Sequence, residues 1–193
     1  MKLFISGSKS ILKLEKSSIK LIERALQNKH QILIGDADGI DRIIQEYLKN
    51  AGYSDVTVYC VESNCRNNIG GWNTKNIPSK IKSKGFRYYV QKDLAMAQDG
   101  DVAFMIWDRK SAGTLNNVLN MLELSKPSTV VEAHDGKIIQ IQTINDFKKL
   151  IDFCDINTKN RLDKKINFSK ILERISVPSQ PMLPIERVGS NGV

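Results

Sequence analysis

Three short apolar runs in this chain each end in a polar turn that carries glycine. They are Leu3-Phe4-Ile5 before Ser6-Gly7-Ser8-Lys9-Ser10, Ile32-Leu33-Ile34 before Gly35-Asp36-Ala37-Asp38-Gly39-Ile40-Asp41, and Val102-Ala103-Phe104-Met105-Ile106-Trp107 before Asp108-Arg109-Lys110-Ser111-Ala112-Gly113-Thr114. Unbroken apolar runs of this length suit strands covered on both faces, as in parallel sheets. Amphipathic helical patterns come after them: Ile19, Ile22 and Leu26 share a face in residues 15–28, and Ile40, Ile43, Ile44, Tyr47 and Leu48 form a stripe in residues 40–50. Residues 115–124 continue the third turn as a helix. Strands that alternate with helices imply an α/β fold with a mainly parallel sheet and helices on both faces. Ligands of such sheets sit outside the carboxyl ends of the strands. Three polar turns at three strand ends are therefore expected to line one crevice.

The third turn is the most telling. A helix that starts at a strand end directs its unpaired N–H groups and the positive end of its dipole back toward the crevice, which suits an anion. Gly113 lets a phosphate or ribose approach the backbone, and Thr114 offers a hydroxyl at the cap.

Further strands are expected at residues 56–61, 129–132 and 138–142, with a helix through Lys92, Asp93, Leu94, Met96 and Ala97. Residues 62–84 read as one long irregular segment, of the kind that serves as a lid. Its Trp72 reads as an anchor to the body ahead of a ring for base stacking. A helix at 144–154 closes the body, and a second short helix spans 164–176 through Ile166, Ile171, Leu172 and Ile175. Residues 177–193 contain three prolines and read as extended. The expected organisation is one domain over 1–156 and a C-terminal extension over 157–193.

Composition narrows the function classes. No apolar run approaches the roughly 20 residues that span a bilayer, and the start lacks a signal-peptide pattern, so a cytoplasmic protein with no membrane partner is expected. Cys60, Cys65 and Cys154 form no paired spacing, which argues against a disulfide framework and a zinc site. His30 and His134 fall in no ligand pattern, so no metal and no cofactor are expected. The formal charge of +8 is spread over Lys13, Lys16, Lys20, Lys29, Lys75, Lys80, Lys82, Lys84, Lys159, Lys164, Lys165 and Lys170. Such a spread favours anionic partners in general, and nucleic acid is not the favoured one. Neither a nucleophile elbow nor a P-loop is present.

The first turn, the Gly35–Asp41 turn, the segment Tyr89-Val90-Gln91-Lys92-Asp93 and the run from Trp107-Asp108 to Gly113-Thr114 together resemble the SLOG superfamily. That group contains the Smf/DprA proteins and the lonely-guy phosphoribohydrolases. The resemblance covers roughly residues 1–132 and lies nearest the small stand-alone branch with a GSRS-like start and a GDAxGID turn. It implies a Rossmann-like fold and a site for nucleotides or nucleotide-derived ligands. Two positions depart from the pattern. Asn117 stands where the lonely-guy enzymes carry a catalytic glutamate, and an amide is neither general base nor nucleophile. Lys9 stands where an arginine is usual, which keeps the charge but not the bidentate fork.

The binding roles expected are these. Gly7, Ser8, Lys9 and Ser10 face an anion, and Gly35 and Gly39 shape a tight turn whose Asp36 or Asp38 accepts from ribose hydroxyls. Asp108, Ser111, Gly113 and Thr114 hold a second phosphate or the sugar, with Asn117 as a hydrogen-bonding amide. Asp41 is assigned to capping. The function expected is binding of a nucleotide or nucleotide-derived ligand by a sensor or sequestering protein. The alternative is an N-glycoside hydrolase or transferase, for which Asp36 and Asp38 are the catalytic candidates and Asp93 a structural residue at a helix start. The basic, proline-containing tail suits docking on a partner or second subunit, so a homo-oligomer is expected.

Overall fold

The computed structural model describes residues 1–63 and 65–176. Leu3, Phe4 and Ile5 are all buried in β1 (Lys2–Gly7), yet they serve two different cores. Phe4 joins a cluster with Leu33, Met105, Trp107 and Val130 on one face of the sheet. Leu3 and Ile5 join Ile32, Ile34, Val58 and Ile106 on the other. Successive side chains of a strand point to opposite faces, so an unbroken apolar strand needs cover on both. The fold supplies it. Helices α1 (Lys16–Gln27) and α2 (Ile40–Asn50) cover one face through Ile22, Ala25, Ile40, Ile44 and Leu48. Helices α3 (Phe86–Asp99) and α4 (Ala112–Glu123) cover the other through Met96, Ala97, Leu115, Val118 and Leu119.

The remaining strands are β2 (Gln31–Gly35), β3 (Val56–Val61), β4 (Asn73–Ile77), β5 (Val102–Trp107), β6 (Ser128–Glu132) and β7 (Ile138–Ile141). Among the described residues they form a seven-stranded sheet in the order β4-β3-β2-β1-β5-β6-β7. All neighbours are parallel except the β6–β7 hairpin. This is a Rossmann-like α/β sheet. From β1 the chain steps outward through β2, β3 and β4, then returns to place β5 against the other side of β1, with Gly7 beside Ile106. That reversal opens the crevice at the carboxyl ends of β1 and β5.

Three expectations need correction. Residues 62–84 are not one irregular segment, because β4 lies within them as an edge strand. Its Asn73-Thr74-Lys75-Asn76-Ile77 sequence is exposed nearly throughout, so no apolar alternation announces it. The C-terminal helix is two helices, α6 (Ile156–Ile166) and α7 (Phe168–Ser176), broken at Asn167, whose φ of 57° lies in the left-handed region. Both pack on the body, preceded by α5 (Ile144–Ile151): Leu162, Ile166, Phe168 and Leu172 enter the same core cluster as Leu115 and Phe147. Finally, Cys60 at the end of β3 and Cys65 are joined by a disulfide, with Cα atoms 5.1 Å apart. They are five positions apart, and the turn after β3 brings them within bonding reach. The proline-containing segment 177–193 lies outside the described residues. No helix among the described residues is long and apolar enough to cross a membrane.

Candidate functional site

At the carboxyl ends of β1 and β5, between α3 and α4, lies a cavity of about 520 Å³. This is within the range typical of small-molecule sites. The α4 side of it is built from the Asp108–Thr114 turn. Asp108 accepts from Ser8 Oγ (2.9 Å), Ser10 Oγ (2.5 Å), Lys110 N (2.9 Å) and Ser111 N (2.7 Å). Burial pushes its carboxyl up, but these hydrogen bonds outweigh it and hold the group below its ordinary pKa. Ser111 caps α4, accepting from Thr114 N (3.3 Å) and Thr114 Oγ1 (3.0 Å). Trp107 fixes the turn from below, its indole donating to Ser111 O (3.0 Å). The amides of Ala112 and Gly113, in the first helical turn, have no intrahelical acceptor. A Cβ placed on Gly113 would find no atom nearer than Ser111 Oγ at 3.9 Å, so the cavity is open above it.

One turn further along α4, Asn117 is 2% exposed and still borders the cavity. Its Nδ2 donates to Ser6 Oγ (3.1 Å), and its Oδ1 is buried without a protein donor. A buried carbonyl with no donor costs on the order of 1–3 kcal/mol. A hydroxyl or N–H of a ligand would relieve that cost.

The opposite wall comes from α3 and from the segment after β3. Lys92 is 3% exposed; its Nζ lies 2.8 Å from Asp93 Oδ1 and 3.9 Å from Asp36 Oδ1. Asp36 is also clasped by Arg66, through Nη2 (2.6 Å), Nε (3.1 Å) and the backbone N–H (3.0 Å). Burial pushes Asp36 up, but Arg66 and Lys92 bring it below its ordinary pKa. Burial pushes Lys92 down, and Asp93, Asp41 and Asp36 more than restore it, so it stays charged. Asp41 is different. Burial pushes its carboxyl up, Lys92 only partly offsets this, and it titrates at about 6. Three carboxylates face two cations in this cluster, and Asp41 is the one pushed up, taking up a proton as pH falls through about 6. Gly35 makes room for it: a Cβ there would run into Asp41 Oδ2 and lie 2.5 Å from Lys92 Nζ.

Gly7, Lys9, Ser10, Asp108, Ser111, Gly113, Thr114 and Asn117 all border the cavity, as do Asp41, Arg66 and Asp93. Ser8, Gly35, Asp36, Asp38 and Gly39 do not. Ser8 is fully buried and ties β1 to β5: besides donating to Asp108, its Oγ accepts from Asp108 N (3.2 Å). Asp36 holds Arg66, and Asp38 accepts from Asn67 Nδ2 (3.2 Å). Gly39, at φ 73°, packs against the Lys9 backbone and so joins the first two turns. Asp93 lies in the middle of α3, not at its start.

Arg66 was not legible in the sequence. It reaches the cavity because residues 66–72 are pinned: Gln45 donates to Gly35 O (2.8 Å) and accepts from Ile69 N (2.9 Å), and Asn68 brackets Trp72 through both its backbone groups. The Trp72 indole donates to Tyr53 O (3.0 Å), which makes it an anchor. Compared with known proteins, the chain matches no family model, no curated protein and no solved structure.

Proposed function

We propose that this cavity binds a phosphorylated nucleoside or a nucleotide-derived ligand, and that the protein acts as a sensor or sequestering protein for it. The observation that carries the reading is the pairing on one helix face of open N–H groups at Ala112 and Gly113 with the unpartnered Asn117 Oδ1. The first suits a phosphate, and the second needs a donor such as a ribose hydroxyl. Arg66 over the Tyr89 ring, with its Cζ 4.1 Å from the ring centre, supplies a charged aromatic wall. The motif resemblance to the SLOG superfamily points to the same ligand class.

Native mass spectrometry and calorimetry with the ribonucleotides test it. Gly113→Leu starts a side chain into the cavity from a position where its Cβ meets nothing nearer than Ser111 Oγ at 3.9 Å, so it should reduce affinity at least tenfold while leaving the fold intact by circular dichroism. Unchanged affinity would refute this placement of the ligand.

A second reading, cleavage of the base–sugar bond, is favoured by one observation: the Lys92–Asp93 pair borders the cavity. Asp93 is then the base that takes a proton from water as the water oxygen bonds to C1′ and the C1′–N bond breaks; the departing base takes up a proton from solvent, and Asp93 returns its own to solvent. Free base in the chromatogram of a nucleotide incubation, lost in Asp93→Asn while binding persists, would establish it. Bound but intact nucleotide would leave the sensor reading alone.

A further inference from the structure

The cavity carries more positive charge than one phosphate uses. Arg66 and Lys92 are held by carboxylates, but four other lysines border the same space: Lys9 after β1, Lys84 before α3, Lys110 in the β5–α4 turn and Lys165 on α6. None of these four has a carboxylate oxygen within 4 Å among the described residues. Two of them lie over rings of α3. Lys165 Nζ is 5.2 Å from the centre of the Phe86 ring, and Lys9 Nζ is 5.3 Å from that of Tyr89. Phe86 and Tyr89 are three residues apart and so share a helix face. Ammonium groups from far ends of the chain therefore lie over neighbouring rings of one wall. Like charges gathered this way repel one another unless an anion joins them.

The first turn of α4 and the Asn117 side chain account for one phosphate and one hydroxyl. The lysines at the rim are additional to these, and they come from four separate elements. We propose that the ligand is a nucleotide with a di- or triphosphate chain, its further phosphates held at the rim by Lys84, Lys165 and Lys9. This rests on the nucleotide reading above and deepens it. It also gives α6 a role beyond packing: Leu162 and Ile166 seat the helix in the core, and Lys165 completes the site at its mouth.

The test is calorimetry of the full chain with the mono-, di- and triphosphates of the four ribonucleosides at fixed ionic strength, with inorganic tripolyphosphate as a further probe. For whichever base binds, the triphosphate should bind at least tenfold more tightly than the monophosphate. The double variant K84A/K165A should shrink that gap to less than threefold and leave monophosphate affinity within twofold. Lys170→Ala, an exposed α7 lysine outside the cavity, should leave the gap intact. A wild-type gap below threefold, or a gap that survives in K84A/K165A, would overturn the rim assignment while monophosphate binding keeps the nucleotide reading standing. Tripolyphosphate binding with no nucleotide binding would overturn both.

Discussion

Gly35, Asp41 and Lys92 show how a single missing methyl group organises a charge cluster. The space a Cβ would take at Gly35 is occupied by the Asp41 carboxylate and the Lys92 ammonium. Gly35→Ala is therefore expected to destabilise the fold by about 2–4 kcal/mol, measurable by urea denaturation. Asp41 gives the fold a pH dependence of definite sign. Its folded pKa, about 6, lies above the ordinary 3.8, so the native state binds this proton more tightly than the unfolded chain. The contribution is complete below pH 3.8 and is lost as pH rises through 6. A shift of this size corresponds to about 3 kcal/mol. Asp41→Asn should abolish this component of the stability difference between pH 4 and pH 7, read from urea midpoints at each pH. An unchanged pH profile would show that Asp41 does not hold the proton. The sequence suggested only capping for Asp41, because the neighbouring charge of Lys92 comes from 51 positions away and nothing local announces it.

At the scale of elements, what was legible was what periodicity encodes. β1, β2, β3 and β5 each carry an apolar run, and α1 and α2 have clean buried stripes, so their places follow from sequence. β4 was invisible because an exposed edge strand has no buried face to pattern it; it is set instead by the segment before it. Gln45, fully buried, is the clamp for that segment. Gln45→Ala should lower stability by about 1–3 kcal/mol and speed hydrogen exchange at the Ile69 amide by at least tenfold. Loss of stability with Ile69 exchange unchanged would mean that the segment is held by Arg66 and Asn68 alone. The start of α3 was misplaced for a related reason. Its first turn lines the cavity with Phe86 and Tyr89, Phe86 being only partly buried against the core, so the fully buried apolar stripe of Met96 and Ala97 comes only later. The break between α6 and α7 hinges on one left-handed Asn167, which leaves the apolar pattern on both sides unbroken.

Over the whole molecule, the reversal of strand order at β1 and β5 decides where the site lies, and the sequence pointed there through the turns that end these two strands. Eight of the residues expected to bind ligand meet at the resulting cavity, from Gly7 to Asn117. The turn after β2 behaves differently: Asp36 and Gly39 act behind the wall, holding Arg66 and the Lys9 backbone in place. The long-range supply of Arg66, Lys84 and Lys165 could not be read from local pattern, because each is brought in by tertiary packing. The central claim is that a nucleotide phosphate sits on the first turn of α4 with a donor on Asn117. The most direct test is amide chemical-shift mapping by NMR during titration with the tightest-binding ribonucleotide of the panel. The largest perturbations are expected at the Ala112 and Gly113 backbone amides and at the Asn117 side-chain amide, with smaller ones at Tyr89 and Lys165. Perturbations that leave Ala112, Gly113 and Asn117 unmoved would contradict the account.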